Sequence, residues 1–508
     1  MTANASPPQP ASRDLVRIRL EPLSIEFEVA RGEALIAGLA ARGIEFPCGG
    51  IGICGGCRVR VLSGALPVTE ADAAILTPDE LAGGWRLACQ ANADEPLVLD
   101  CGQWHMEVLS DSSVVAAGPE SRPRKIAIDL GTTTIAAQLI DSATGEVLGV
   151  ETALNPQAAF GSDVMSRIRA ALEGQDLTAP IRAALGEIVA RLAAGNAAQV
   201  GEVLLVGNTV MHHLFCGLDV EPLSRVPFAS PHLGEQRFAP RELEWDLPAD
   251  CTIRFARCIG GFVGSDILAG IVAAGMTRSY ALTALIDLGT NGEIAIGNRS
   301  GIVCASTAAG PAFEAGAIQM GMRAVTGAVS YVTLADGALR ATVIGDVTPR
   351  GICGSGLVDA VAAGLRSGAI LANGRVADGS KVFPVAAPVV LYQSDIRELQ
   401  LAKGAIAAGF RLLLKRLGAT MGDLHAIHLA GAFGNYVQIE SAIRIGLLEA
   451  PHALIHAAGN TALRGAKMLL VGGEPELPPI EHVSLAADAG FEGEFAACMA
   501  FPDVRAVR

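Results

Sequence analysis

Aromatic residues are scarce in this 508-residue chain: 3 Trp, 4 Tyr and 15 Phe make up 4% of it. The core must therefore be filled mainly by aliphatic side chains, while 59 Gly mark many tight turns and close backbone approaches. Positive charge is in deficit as well. There are 38 Lys and Arg against 52 Asp and Glu, a formal net charge of -14, which argues against nucleic acid or an anionic membrane as a principal partner. No long apolar run is free of charge. The longest, 259–276, contains Asp266 and several Gly, and so reads as a buried helix rather than a membrane span. The first ten residues hold neither a basic nor an apolar segment, so a secretory leader is not expected and a cytoplasmic location is. Disulfide density is missing too. Eleven Cys, an odd number spread over the whole chain, do not make the scaffold of a small secreted domain. The length leaves room for about three domains.

Four of the Cys do form a pattern. Cys48, Cys54, Cys57 and Cys89 are spaced C-x5-C-x2-C-x31-C, and the first three lie in a glycine-rich loop. Four thiolates around iron and sulfide make a negative centre. A loop wrapping such a centre must turn backbone N–H groups inward, which glycine permits. The layout resembles the [2Fe–2S] ferredoxins, whose plant-type spacing is C-x4-C-x2-C…C; the longer first gap resembles their adrenodoxin-like branch. A structural zinc site favours two C-x2-C pairs, and only one is present. The surrounding pattern fits a ferredoxin-type β-grasp domain over 14–103. Leu15–Leu20 and Ile25–Val29 alternate as a hairpin, 33–41 reads as a short helix, and Arg58–Leu62 and Pro96–Leu99 read as returning strands.

Residues 104–124 are polar and proline-bearing and read as a linker. From Lys125 to about residue 505 the chain alternates strands and helices. An apolar strand ends in Asp129-Leu-Gly131-Thr132-Thr133-Thr134, and a near copy ends in Asp287-Leu-Gly289-Thr290-Asn291-Gly292-Glu293, 158 residues later. This is an internal repeat. It predicts two similar α/β halves facing each other across a cleft, with turns at 129–134 and 287–293. Gly lets the backbone approach a phosphate, the Thr hydroxyls add donors, and an Asp carboxylate suits Mg²⁺, which keeps several of its waters. The paired turns resemble the phosphate loops of the acetate kinase/sugar kinase/Hsp70/actin (ASKHA) superfamily. Glycine turns that clamp adenosine in that superfamily have candidates here at Gly354-Ser355-Gly356, which opens a helical pattern, and at Gly431-Ala432-Phe433-Gly434.

Other stretches allow a plain structural reading beside a functional one. Ser162 is a candidate N-cap. His212 and His213 are adjacent, so they do not share a helix face, and core or capping roles outweigh a metal site. Asp266 is a cap or a cleft carboxylate. Glu314 is either an orienter of water or Mg²⁺ or a surface residue. The helix expected over 396–417 carries Lys403, Arg411, Lys415 and Arg416 on a face read as solvated.

A ferredoxin domain joined to an ASKHA ATPase resembles the reductive activators of corrinoid-dependent methyltransferases. Asn155-Pro-Gln157, Gly207-Asn-Thr209, Gly264-Ser-Asp266, Asp287–Glu293, Gly310-Pro-Ala-Phe-Glu314 and Gly431-Ala-Phe-Gly434 carry that resemblance, over about residues 14–500. It implies ATP-dependent one-electron reduction of a Co(II) corrinoid protein to Co(I), with a [2Fe–2S] cluster, ATP and Mg²⁺ as cofactors. It also implies catalytic carboxylates at Asp129, Asp287, Glu293 and Glu314. Nucleotide contacts are implied at Gly131, Thr132, Thr133, Gly289, Thr290, Asn291, Gly354, Ser355, Gly356, Gly431, Ala432 and Gly434. Implied partners are a corrinoid protein of a methyltransferase system and an electron donor of the ferredoxin or flavodoxin reductase type; related ATPases pair, so a homodimer is among the expectations. The chain departs from the pattern in reading as shorter than many members and in lacking a C-terminal cysteine set. An activator of a non-corrinoid metalloenzyme and a small-molecule kinase with a redox-regulatory domain are the competing readings.

Overall fold

The computed structural model describes residues 14–21, 25–40, 42, 44, 52, 57–101, 123–161, 163–289 and 291–502. Cys48, Cys54, Ser162, Thr290, the Ala432 side chain and the expected linker up to residue 122 lie outside that description. The chain divides into two compact units, Met1–His105 and Met106–Arg508.

In the first unit, β1 (Leu15–Glu21), β2 (Ile25–Ala30), β3 (Arg58–Ser63), β4 (Trp85–Leu87) and β5 (Leu97–Cys101) form one sheet in the order β2-β1-β5-β3-β4. The alternation in β1 buries Val16, Ile18 and Leu20 on one face. β1 pairs antiparallel with β2 and parallel with β5, and helix α1 (Leu35–Ala40) follows the hairpin. The helix is shorter than the sequence pattern predicts, because Glu33–Ala34 pairs with Asn92–Ala93 as strand. A second short helix, α2 (Glu70–Ile75), starts with a Thr69–Asp72 capping box.

The second unit contains two sheets of six strands each. The first is built from β6 (Arg124–Leu130), β7 (Thr134–Asp141), β8 (Val147–Leu154), β9 (Val200–Gly207), β10 (Gln236–Phe238) and β11 (Thr252–Phe255), in the order β8-β7-β6-β9-β11-β10. Helices α3 (Val164–Leu172), α4 (Thr178–Leu192), α5 (Thr209–Cys216) and α6 (Ser265–Ala273) accompany it. The second sheet is built from β12 (Thr283–Leu288), β13 (Gly292–Asn298), β14 (Gly301–Thr307), β15 (Ala426–Ala430), β16 (Ile455–Gly459) and β17 (Ile480–His482), in the order β16-β15-β12-β13-β14-β17. Helices α7 (Gly354–Ser367), α8 (Gln393–Arg416), α9 (Gly431–Tyr436) and α10 (Thr461–Gly472) belong to this half of the chain.

The repeat read in the sequence is a repeat of topology. In each sheet an antiparallel meander of three strands comes first, and the first meander strand then pairs in parallel with a later strand: β6 with β9, β12 with β15. Two helices cross between the halves. α10 leaves the second sheet but packs on β6, β9 and α6, burying Leu463, Ala466 and Leu470 against Ala127 and Leu204. α6 follows the first sheet and packs Ile267 and Ile271 against Leu285 and Ala295 of the second.

Asp163 caps α3, its carboxylate accepting from the N–H groups of Met165 and Ser166. One expectation is corrected here. Lys403 is not on a solvated face. It is 1% exposed, and its ammonium donates to the Ala500 carbonyl at 2.5 Å, tying the C-terminal segment to α8. The apolar surroundings dominate its polar identity, which a helical charge pattern alone does not reveal.

Candidate functional site

Parallel strands carry their loops at their C-terminal ends, and those ends gather the candidate residues. Asp129 ends β6 and Asp287 ends β12, while Glu293 sits directly across from Asp287 on β13. Asp266 lies in the first turn of α6. Each of the four carboxylates is half-buried, keeping a little surface open. Burial raises all four: Asp129 to about 6, Asp287 to about 7, Asp266 to about 8 and Glu293 well above its usual range. Their mutual repulsion adds to this. Asp287 feels Asp129, Asp266 feels Asp287 and Asp129, and Glu293 feels Asp266 and Asp287. The structure thus brings together Asp129, Asp287 and Glu293, and adds Asp266 beside them.

Like charges crowded together are relieved by binding protons or by a counter-cation. Among the described residues no three His, Cys, Asp or Glu side chains converge closely enough to chelate a bare ion.

Hydrogen bonds hold the turn after Asp129 from several sides. Asn155 donates from its side chain to the Gly131 carbonyl at 2.9 Å, and its N–H donates to the Thr133 carbonyl at 2.9 Å. Asn208 donates to the Thr132 hydroxyl at 2.8 Å, and Asn460 donates to the Asp129 carboxylate at 2.8 Å. In the second turn the Gly289 N–H donates to the Asn291 carbonyl at 3.0 Å, and the Ser306 hydroxyl donates to Glu293 at 3.1 Å. Gly131, Thr132, Thr133, Gly289 and Asn291 all retain partial exposure. The turn backbone is thus both fixed and reachable, as a phosphate cradle requires.

The proposed adenosine turns behave differently. Gly431 has φ +82, and a Cβ there would come within 2.5 Å of an Asp287 carboxylate oxygen, so glycine makes room for that side chain. The glycines at 354 and 356 are explained by packing. A Cβ would sit 1.7 Å from the Phe313 carbonyl oxygen at Gly354 and 2.1 Å from that of Val329 at Gly356. The Ser355 hydroxyl donates to the Ser330 carbonyl at 2.9 Å. Gly434 lies against the Leu429 backbone. The rings of Phe313 and Phe433, 4.7 Å apart, join the 311–314 turn to α9. Glu314, on that turn, is exposed, unlike the four cleft carboxylates. His212 and His213 are core residues, 0% exposed, with His213 bonded to the Ser230 hydroxyl at 2.7 Å.

Asn460 and Ser306 were not singled out by sequence pattern. For Asn460 a signal existed, since Gly459-Asn-Thr461 repeats the Gly207-Asn-Thr209 string. For Ser306 there was none: it is one hydroxyl on a strand.

In the first unit, Cys57 and Cys89 are both buried. The Ala88 N–H donates to the Cys57 carbonyl at 3.1 Å, joining the two segments, and the Gln90 amide donates to the Cys89 sulfur at 3.6 Å. Asp72 accepts from the Leu87 N–H at 2.6 Å, pinning the approach to Cys89. Buried sulfurs on adjoining segments, one receiving an N–H donor, fit the thiolate end of an iron–sulfur site.

Comparison with known proteins matches these parts in the same order. A 2Fe-2S iron-sulfur cluster binding domain matches residues 18–94, the RACo middle region matches 125–279, and the C-terminal domain of RACo, the ASKHA domain, matches 281–507. The corrinoid activation enzyme RamQ of Eubacterium limosum is 34% identical over 430 residues, covering 76% of this chain and 72% of its own. The [Co(II) methylated amine-specific corrinoid protein] reductase of Methanosarcina barkeri is 26% identical over 388 residues, covering 68% and 69%. A solved reductive activator for corrinoid,iron-sulfur protein superposes with a TM-score of 0.64 at 25% identity, covering 96% of this chain and 98% of that one. A ferredoxin-like unit for a [2Fe–2S] cluster, followed by a duplicated actin-like fold and matched along most of its length, places this chain in the family of corrinoid activation enzymes, the reductive activators of corrinoid proteins.

Proposed function

We propose that this chain reduces the Co(II) of a corrinoid protein to Co(I) by one electron, in a step conditional on ATP hydrolysis to ADP and phosphate. The observation that carries the ATP part is the group of four carboxylates from both halves, Asp129, Asp266, Asp287 and Glu293, all raised by burial and the last three also by neighbouring carboxylates, beside two phosphate-type turns. The domains are taken as 14–103, 104–124 and 125–505. Cys48, Cys54, Cys57 and Cys89 would hold the cluster, which when bound supplies a one-electron carrier. Asp129 and Asp287 would hold hydrated Mg²⁺, and Glu293, oriented by Ser306, would position the attacking water. Thr132, Thr133 and Asn291, with the backbone at Gly131 and Gly289, would cradle phosphates. A reductase of the ferredoxin or flavodoxin type would supply the electron. ATP can move an unfavourable electron transfer only if the corrinoid protein binds the nucleotide states of this chain differently.

The test uses anaerobic full-length protein, a low-potential reductant, ATP·Mg and a Co(II) corrinoid protein from the same genome. The expected outcome is an ATP-dependent Co(I) spectrum, with Asp287→Asn lowering the rate by about 10²-fold or more. A rate that is equal with and without ATP would remove the nucleotide from this reading.

A further inference from the structure

The string Gly-Asn-Thr occurs at Gly207-Asn208-Thr209 and again at Gly459-Asn460-Thr461. Both copies lie where a parallel strand gives way to a helix, β9 to α5 and β16 to α10. In both, the Asn is the N-cap. Asn208 Oδ1 accepts from the Met211 N–H at 3.0 Å, and Asn460 Oδ1 accepts from the Leu463 N–H at 2.8 Å. An amide whose oxygen is committed to a cap has its NH₂ fixed in direction. Both NH₂ groups point at one turn: Asn208 Nδ2 is 2.8 Å from Thr132 Oγ1, and Asn460 Nδ2 is 2.8 Å from Asp129 Oδ2. The two origins differ. Asn208 belongs to the same sheet as the turn, whereas Asn460 stands where the chain leaves the second sheet for a helix packed on the first.

We propose that Asn208 and Asn460 are a matched pair of positioning residues that grip the 129–134 turn from both halves, and that Asn460 links occupancy of Asp129 to the seating of α10. A group that engages the Asp129 carboxylate competes with, or reorients, the only side-chain donor bonded to it among the described residues. That donor cannot move without disturbing the first turn of α10, because the same amide caps the helix. The grip is independent of what binds the cleft; the link to α10 rests on the nucleotide reading given above.

Serine separates the two roles of each Asn. It caps a helix nearly as well as Asn, but it is too short to reach the turn. Full-length Asn208→Ser and Asn460→Ser are compared with wild type by hydrogen–deuterium exchange. Without nucleotide, both variants are expected to exchange about tenfold faster across Ile128–Ile135, as loss of a hydrogen bond to a polar or charged group implies. With ATP·Mg, wild type and Asn208→Ser gain protection in 461–472, whereas Asn460→Ser does not, and both variants bind ATP about tenfold more weakly. Should Asn460→Ser not fold, Asn460→Asp keeps the cap, removes the donor and is expected to exchange in the same way. Unchanged exchange over Ile128–Ile135 in the variants would reduce both residues to helix caps and overturn the grip. Faster exchange in the variants of a protein that binds no ATP would keep the grip and discard the nucleotide reading. Protection of 461–472 by ATP in Asn460→Ser would overturn the link to α10.

Discussion

A carboxylate whose folded-state value is raised binds more protons in the native state than in the unfolded one over the interval between the two values. Asp129, Asp287 and Asp266, at about 6, 7 and 8 against an ordinary Asp near 3.8, all act in this direction. Their contribution is fully present below about pH 4 and is lost as pH rises through each folded value. The nucleotide-free protein is therefore expected to melt at progressively lower temperature between about pH 4 and pH 8. Asp266→Asn removes the highest of these three values and should flatten that slope while raising stability at pH 9. Thermal unfolding across a pH series reads both. Bound Mg²⁺ replaces protons as the counter-charge, so its stabilising effect should grow with pH over the same range.

At the scale of elements, the crossing of α6 and α10 leaves no room for a side chain at Gly465. A Cβ there would lie 1.9 Å from the Ala269 carbonyl oxygen. Gly465→Ala forces the two helices apart, and overpacking of this kind costs about 1–3 kcal/mol. Denaturant unfolding of the second unit is expected to show that loss. Gly472→Ala, beside open space at the far end of the same helix, is expected to show little. This crossing also marks the border of what the sequence made legible. Strand alternation at 15–29, the repeated Asp-x-Gly-Thr turns and the cysteine spacing are local patterns with a period or a fixed offset, and they are readable without a partner. The burial of Lys403 depends on the chain returning at Ala500, ninety-seven residues later. That Phe313 and Val329 press on the glycines at 354 and 356 is likewise set by segments distant in sequence. Asn460 escaped notice because its partner, Asp129, lies 331 residues away.

At the scale of the molecule, the chain joins a cluster-binding unit to a cleft whose residues all lie beyond residue 123. Thr132 and Asp129 are held by the two Asn caps, and Glu293 by Ser306. The segment carrying Cys89 is held by Asp72 and by the Cys57 backbone, bonds that a serine at position 89 does not touch. On the proposed reading, electron delivery and nucleotide binding should therefore come apart by mutation. Cys89→Ser is expected to lower the visible absorbance of the reconstituted cluster and to abolish formation of Co(I), while the ATP affinity stays within about twofold of wild type. Asp287→Asn should do the reverse, leaving the cluster absorbance intact and stopping ATP turnover. Absorbance spectra and nucleotide titrations on the two variants decide the matter. If Cys89→Ser weakened ATP binding as much as Asp287→Asn, the cleft would depend on the cluster for its own assembly, and nucleotide gating of an independent electron carrier would not describe this molecule.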